Sequence, residues 1–289
     1  MYDAGMGSEA SSLVEDNYGK ILIGGYIGNE LAIWRINENG TLDTTFNGIG
    51  IYKMAVAGGP DTIDEIRIDN NNKIVAVGST KDASGKYRMF VIRLNSNGTL
   101  DTSFGGGLGY VSYGNAAGGN GDDYGYGLTI DAGGKIVICG RSEKVAGNYS
   151  LVIWRLNYDG TLDSTFNSSG TVVIDVSSGI GGKFEDIMTD SSGRIVVTGS
   201  LFNGTDYDMV VYRLNSDGSL DTSFNGSGYI RHNNAAGGNN HDYGHELKVT
   251  TNSEIFVSGQ SAGATSDDVV VWKIKVMESL IKILIILVM

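Results

Sequence analysis

Short runs of apolar, mostly β-branched residues alternate with glycine- and asparagine-rich breaks along nearly the whole chain, and the runs come in a repeating order. The order is complete in residues 125–174. Residues 126–130, 135–140, 150–156 and 171–174 each read as a strand. Between them lie a turn at Asp131-Ala-Gly-Gly134, a polar loop over 141–148, and a turn at Asp159-Gly-Thr-Leu-Asp163. Runs this short, rich in Val, Ile and aromatics and bounded by Gly, Asn and Asp, are strand signals; the repeats contain no helical pattern. The second strand recurs at 20–25, 73–78, 135–140, 194–199 and 254–259. The third recurs five times too, ending at Arg35, Arg93, Arg155, Arg213 and Lys273. The fourth recurs only near Ile51, Tyr110, Val172 and Tyr229.

Strands such as Met209-Val-Val-Tyr212 are apolar without alternation, so both of their faces must be covered. Four-stranded units that stack on both sides are propeller blades. The expected fold is all-β: a five-bladed β-propeller of about 60-residue four-stranded repeats over 1–275, the last blade incomplete or completed by the C-terminal tail. A solenoid and a sandwich are the alternatives. The first strand of each unit, such as 185–189, is short and mixed in polarity; analogy with other propellers places it innermost, on a central channel.

The most regular stretch is Arg213-Leu-Asn-Ser-Asp-Gly-Ser-Leu-Asp221-Thr-Ser-Phe224. Its other copies carry Arg35, Asp43 and Phe46; Arg93, Asp101 and Phe104; and Arg155, Asp163 and Phe166. The Asp positions 43, 101, 163 and 221 are 58, 62 and 58 residues apart, which is the period of a repeat array. Asn157, Asp159 and Asp163 are oxygen donors at calcium-loop positions 1, 3 and 7, but no acid follows at position 12. The structural reading is stronger: Asp-Gly makes the turn, the second Asp accepts backbone N–H groups and pairs with the Arg, and Leu and Phe fill space between blades. This motif, with Asp-x-x-x-Lys-Ile-Val-x-x-Gly earlier in the unit, resembles the bacterial delta-60 repeat family over residues 8–275. The resemblance implies a propeller in a secreted or cell-surface bacterial protein, and supplies no catalytic residues.

Composition narrows the function. A formal charge of −12 over 289 residues argues against a nucleic-acid partner, which needs clustered Lys and Arg. The 44 glycines serve turns, and Pro60 is the lone proline. Cys139, in an apolar strand, is expected to be a buried inert thiol. No charged and apolar leader follows Met1, so no signal peptide is expected at this start. After Lys273 the pattern breaks, and 276–289 is an aberrant apolar tail too short for a membrane span. Relative to the repeat Arg, Met277, Glu278 and Ile281 stand where Asp, Gly and Asp belong. A frame slip is the hypothesis, and sequencing the coding DNA tests it.

The remaining chemistry lies in the loops entering the first strands. Ala116-Ala-Gly-Gly-Asn-Gly-Asp-Asp-Tyr-Gly125 and Ala235-Ala-Gly-Gly-Asn-Asn-His-Asp-Tyr-Gly244 are near copies, and shorter relatives occur at 57–61 and 179–182. On a propeller they ring one channel mouth, presenting Asp61, Asp122, Asp123, Tyr124, His241, Asp242 and Tyr243. Just beyond them Glu65, Asp186 and Glu246 hold equivalent positions, with Ser12 and Gly127 in the other units. Three converging carboxylates would suit Ca2+; Tyr and Asn beside Asp would suit sugar hydroxyls. The simplest reading is that Asp and Asn fix the turns. His241 and His245 on a strand lie about 13 Å apart, too far for a shared zinc. The sequence therefore points to a non-catalytic binding or scaffold module with a glycan, cation or protein ligand. A polysaccharide hydrolase or lyase using channel carboxylates and a purely structural spacer are the alternatives.

Overall fold

The computed structural model describes residues 7–56, 59–175, 181–237, 240–263, 266–277 and 280–288. Its strands form five four-stranded antiparallel sheets, each a meander of consecutive strands. The first sheet holds β1 (Ser8–Glu15), β2 (Ile21–Ile27), β3 (Glu30–Ile36) and β4 (Ile51–Met54). The second holds β5 (Thr62–Ile68), β6 (Ile74–Lys81), β7 (Tyr87–Leu94) and β8 (Tyr110–Tyr113). The third holds β9 (Asp123–Ile130), β10 (Ile136–Val145), β11 (Asn148–Leu156) and β12 (Thr171–Ile174). The fourth holds β13 (Gly182–Thr189), β14 (Ile195–Phe202), β15 (Tyr207–Leu214) and β16 (Tyr229–His232). The fifth holds β17 (Asp242–Val249), β18 (Ile255–Ala262), β19 (Asp267–Met277) and β20 (Leu280–Val288). A 3-10 turn at Gly105–Gly107 is the one helical element among the described residues, and no helix there is long and apolar enough to cross a membrane.

The chain divides into two compact units. One comprises residues 1–116, 120–138 and 156–161; the other comprises 117–119, 139–155 and 162–289. In the first unit, Leu22, Leu31, Ile33 and Phe46 of the first sheet join Ile74, Ala76, Ile92 and Leu94 of the second in one buried cluster. In the second unit, Val196, Met209, Val211 and Phe224 join Ile255, Val257, Trp272 and Ile274 in the same way. Face-to-face burial explains why the second and third strands are apolar on both sides. Cys139 is buried.

In the first three sheets the Arg–Asp–Phe motif clamps the sheet to the turn of the next. Arg35 Nε donates to Asp43 Oδ2 at 2.9 Å, and Asp43 Oδ1 accepts from the Thr45 hydroxyl at 2.7 Å. The other arm of the guanidinium donates to the Ser96 carbonyl of the second sheet's turn. The Asn47 amide donates to Asn97 O at 2.8 Å. Phe46, 0% exposed, lies so close to Gly98 that a Cβ there would come within 2.8 Å of the ring. The second motif repeats this with Arg93, Asp101 and Phe104 on Tyr158 and Gly160. The third repeats it with Arg155, Asp163 and Phe166 on Ser216 and Gly218. The fourth keeps the Arg213–Asp221 pair at 2.7 Å. Asp159 accepts the amide and hydroxyl of Thr161, so the candidate calcium donors serve the turn.

Several strand boundaries differ from the apolar pattern. β9 and β13 begin three residues earlier than the apolar runs, because ladder pairing carries Gly182 and Lys183 onto Leu201 and Ser200. The loop expected over 141–148 is mostly strand, and Gly147, at φ +77°, makes the hairpin. The tail supplies β20, which pairs antiparallel with β19 from Met277↔Leu280 to Val269↔Val288.

Candidate functional site

The glycine-rich loops are held by the acids that follow them. Asp123, 1% exposed, accepts from the amides of Asn115 at 2.8 Å and Ala116 at 3.3 Å. Its second partner is Arg88, at 3.2 Å. Asp242, fully buried, accepts from the amides of Asn234 at 2.8 Å and Ala235 at 3.2 Å. Asp61 is also fully buried and accepts from the Val56 amide at 2.6 Å. Burial pushes its carboxyl up to about 6. These three acids face loop backbone. Residues 57–58, 179–180 and 238–239 of the loops lie outside the described residues.

The neighbouring residue reaches back to the start of a third strand. Asp122 accepts the amide of Tyr87 at 3.0 Å, and His241 Nδ1 accepts the amide of Tyr207 at 3.1 Å. With Nδ1 as acceptor, Nε2 is the donor of the neutral ring. These bonds draw aromatic rings together, separately in each unit. In the first, Tyr124 lies 5.1 Å from Tyr87 and stacks on Tyr126 at 6.0 Å, and Lys81 sits 4.9 Å above the Tyr87 ring. In the second, Tyr243 lies 5.6 Å from both Tyr207 and His241 and stacks on His245 at 6.2 Å. Alternate residues of a strand share a face, so Tyr124 and Tyr126 on β9, and Tyr243 and His245 on β17 with His241 just before it, form short ladders. The rings are partly exposed.

Tyr87, Tyr126 and Tyr207 escaped the sequence reading, and His245 entered it only as a rejected zinc ligand. The signal was present as aromatics at i and i+2 beside each Asp, and as a Tyr opening the third strand two repeats apart.

Glu65, Asp186 and Glu246 each sit where the first strand slips register against the second. Ser12 marks the same bulge in the first sheet. A bulge turns a side chain out of the pleat and toward the adjoining sheet. Glu65 accepts the Ser12 hydroxyl at 2.7 Å, and Asp186 Oδ2 accepts the Leu247 amide at 2.7 Å. Both therefore bridge neighbouring sheets. Glu246 is exposed. Glu65 belongs to the first unit, Asp186 and Glu246 to the second. Among the described residues no three His, Cys, Asp or Glu side chains gather as a metal site. Beside Asp186, burial works to raise the Glu185 carboxyl, but His245 and Lys183, the latter 2.6 Å away, hold it below its ordinary range.

No curated protein matches the chain. Solved structures show a common fold at low identity. A protein of unknown function from Dyadobacter fermentans DSM 18053 has a TM-score of 0.53 and 12% identity, covering 92% of this chain and 75% of its own. An ulvanlyase, described as a new family of polysaccharide lyase, scores 0.51 at 10% identity over 94% of this chain and 68% of its own. A catalytically inactive virginiamycin B lyase from Staphylococcus aureus, with quinupristin, scores 0.50 at 11% identity over 98% and 86%. Residues 19–46, 70–104, 134–166 and 191–224, which carry the second and third strands and the Arg–Asp–Phe clamp, match the family described as "Domain of unknown function (DUF5122) beta-propeller".

Proposed function

We propose that the chain is a non-catalytic binding module of β-propeller type, and that its ligand is a glycan held on the aromatic ladders beside the glycine-rich loops. One observation carries this reading. In both near-copy loops the buried acid is spent on backbone amides, while tyrosine and histidine rings stay at the surface in matched stacks. Acids buried in that way are poor general acids and bases, whereas a ring face with polar groups at its rim suits the C–H face and hydroxyls of a sugar. The resemblance to delta-60 repeats supports a secreted or cell-surface setting.

Calorimetric titration of the full chain with a panel of soluble polysaccharides tests the proposal. An aromatic contact is worth about 0.5–1.5 kcal/mol, so Tyr124→Ala and Tyr243→Ala should each weaken binding roughly two- to tenfold. Thermal melts of the variants separate lost contact from lost fold. A wild-type chain that binds none of the panel, or variants that bind as well as it does, would overturn the reading.

A further inference from the structure

The two aromatic ladders are built alike but differ at one position. β6 and β14 each end on a residue paired, across its hairpin, with the tyrosine that opens the next strand: Lys81 with Tyr87 in the first unit, Phe202 with Tyr207 in the second. Phe202 sets a second ring against its tyrosine, edge to face at 5.3 Å. Lys81 sets an ammonium there instead, 4.9 Å from the centre of the Tyr87 ring. Its stem lies along the bare backbone of Gly59, where an added Cβ would come within 2.5 Å of the lysine Cδ. Stem and head are thus both seated, and the residue stays partly exposed. The acids around it are turned to other groups. Asp82 and Asp123 pair with Arg88, at 2.7 and 3.2 Å. Asp122 accepts the Tyr87 amide through Oδ1 and the Tyr124 hydroxyl through Oδ2, at 3.0 and 3.3 Å. Asp61 is fully buried and accepts the Val56 amide. In a chain of formal charge −12, Lys81 is therefore a cation held on an aromatic face without a carboxylate of its own among the described residues.

We infer, on the basis of the glycan reading proposed above, that the first-unit ladder takes an acidic sugar: the sugar ring lies on Tyr124 and Tyr126, and its carboxylate or sulfate ester is met by the Lys81 ammonium on the neighbouring Tyr87. An exposed ion pair is weak when two long side chains must first be fixed to make it. Here Gly59 and Tyr87 already hold the lysine, so little freedom is lost when the anion arrives and the charge-assisted hydrogen bond adds to the stacking. Tyr87 and Tyr124 lie 5.1 Å apart, so the cation and the stacking surface belong to one site. The second-unit ladder offers ring surface where the first offers charge, and suits a neutral sugar.

Calorimetric titration of the full chain with two matched pairs of probes tests this: oligogalacturonate against its methyl ester, and a sulfated carrageenan oligosaccharide against its desulfated form. In each pair the ring is kept and the charge removed. The charged member of at least one pair should bind about tenfold tighter than its neutral partner, and the pair that shows the gap names the anion. Added salt should narrow the gap. Lys81→Met keeps the stem and removes the charge, so it should abolish the preference and leave the neutral probe bound as before. Tyr124→Ala should weaken the charged probe, and Tyr243→Ala should not. Should circular dichroism show that Lys81→Met has not folded, Lys81→Gln takes its place; the wild-type comparison needs no variant. Charged and neutral probes bound equally well, or a preference that survives loss of the ammonium, would overturn the inference while the glycan reading stands. Binding of neither member of either pair would overturn both.

Discussion

Within each motif one residue does several jobs, and the jobs are separable by experiment. The turn glycine must take a positive φ and must also admit the phenylalanine of the preceding repeat. Gly40 and Gly98 share the first demand, at φ +83° and +86°, but only Gly98 meets the second. Gly40→Ala should cost about 1 kcal/mol for the left-handed backbone. Gly98→Ala should cost that and roughly 1–3 kcal/mol more, because the methyl group enters the space of the Phe46 ring. Urea unfolding of the two variants measures the difference. Equal costs would mean that the ring does not seat on the turn. The same logic separates Asp from Asn in the motif: only the carboxylate accepts both the Thr45 hydroxyl and the Arg35 guanidinium.

At the scale of the strand, the sequence was informative where burial decided the residue and silent where pairing did. The second and third strands are enclosed on both faces, so their apolar runs are visible in the sequence. The extension of β10 through Arg141 to Val145 is polar and is held by its hairpin, which hydropathy cannot report. The candidate site divides the same way. Asp123 and Tyr124 stand out beside glycines, but Tyr87 joins them only through the Asp122 bond across 35 residues. β20 is the clearest case. Its apolar, non-repeating sequence looked foreign to the array, yet an open β19 edge pairs with any compatible strand. Ile285 of β20 packs against the cluster holding Trp272 and Ile274. A chain ending at residue 277 should therefore melt several degrees lower and bind more of a hydrophobic dye, since the β19 edge and part of this cluster become exposed. An unchanged melting temperature would show that β20 adds nothing to the fifth sheet.

Across the whole molecule, two kinds of carboxylate set opposite pH dependences. In the clamps, burial works to raise Asp43, Asp101 and Asp221, but bonds from Thr45, Ser103 and Ser223 and from the paired arginines outweigh it, and all three lie below their ordinary value. Asp101 is held at about 2. An unfolded Asp titrates near ~3.9, so the stability these groups contribute is present above about pH 4 and lost as pH falls toward 2. Asp61 has the reverse sign. Burial raises it to about 6, so its contribution is full below about pH 4 and is lost as pH rises through 6. A two-unit shift corresponds to roughly 2–3 kcal/mol for a buried group. Stability should therefore climb as pH falls from 7 to 5 and drop steeply below 4. Chemical denaturation at fixed pH steps checks both limbs with one substitution each. Asp61→Asn should flatten the slope between 5 and 7 and leave the acid limb intact, while Asp101→Asn should lower stability at neutral pH and shrink the acid limb. If Asp61→Asn kept the wild-type slope between 5 and 7, the buried loop acid would not be its source.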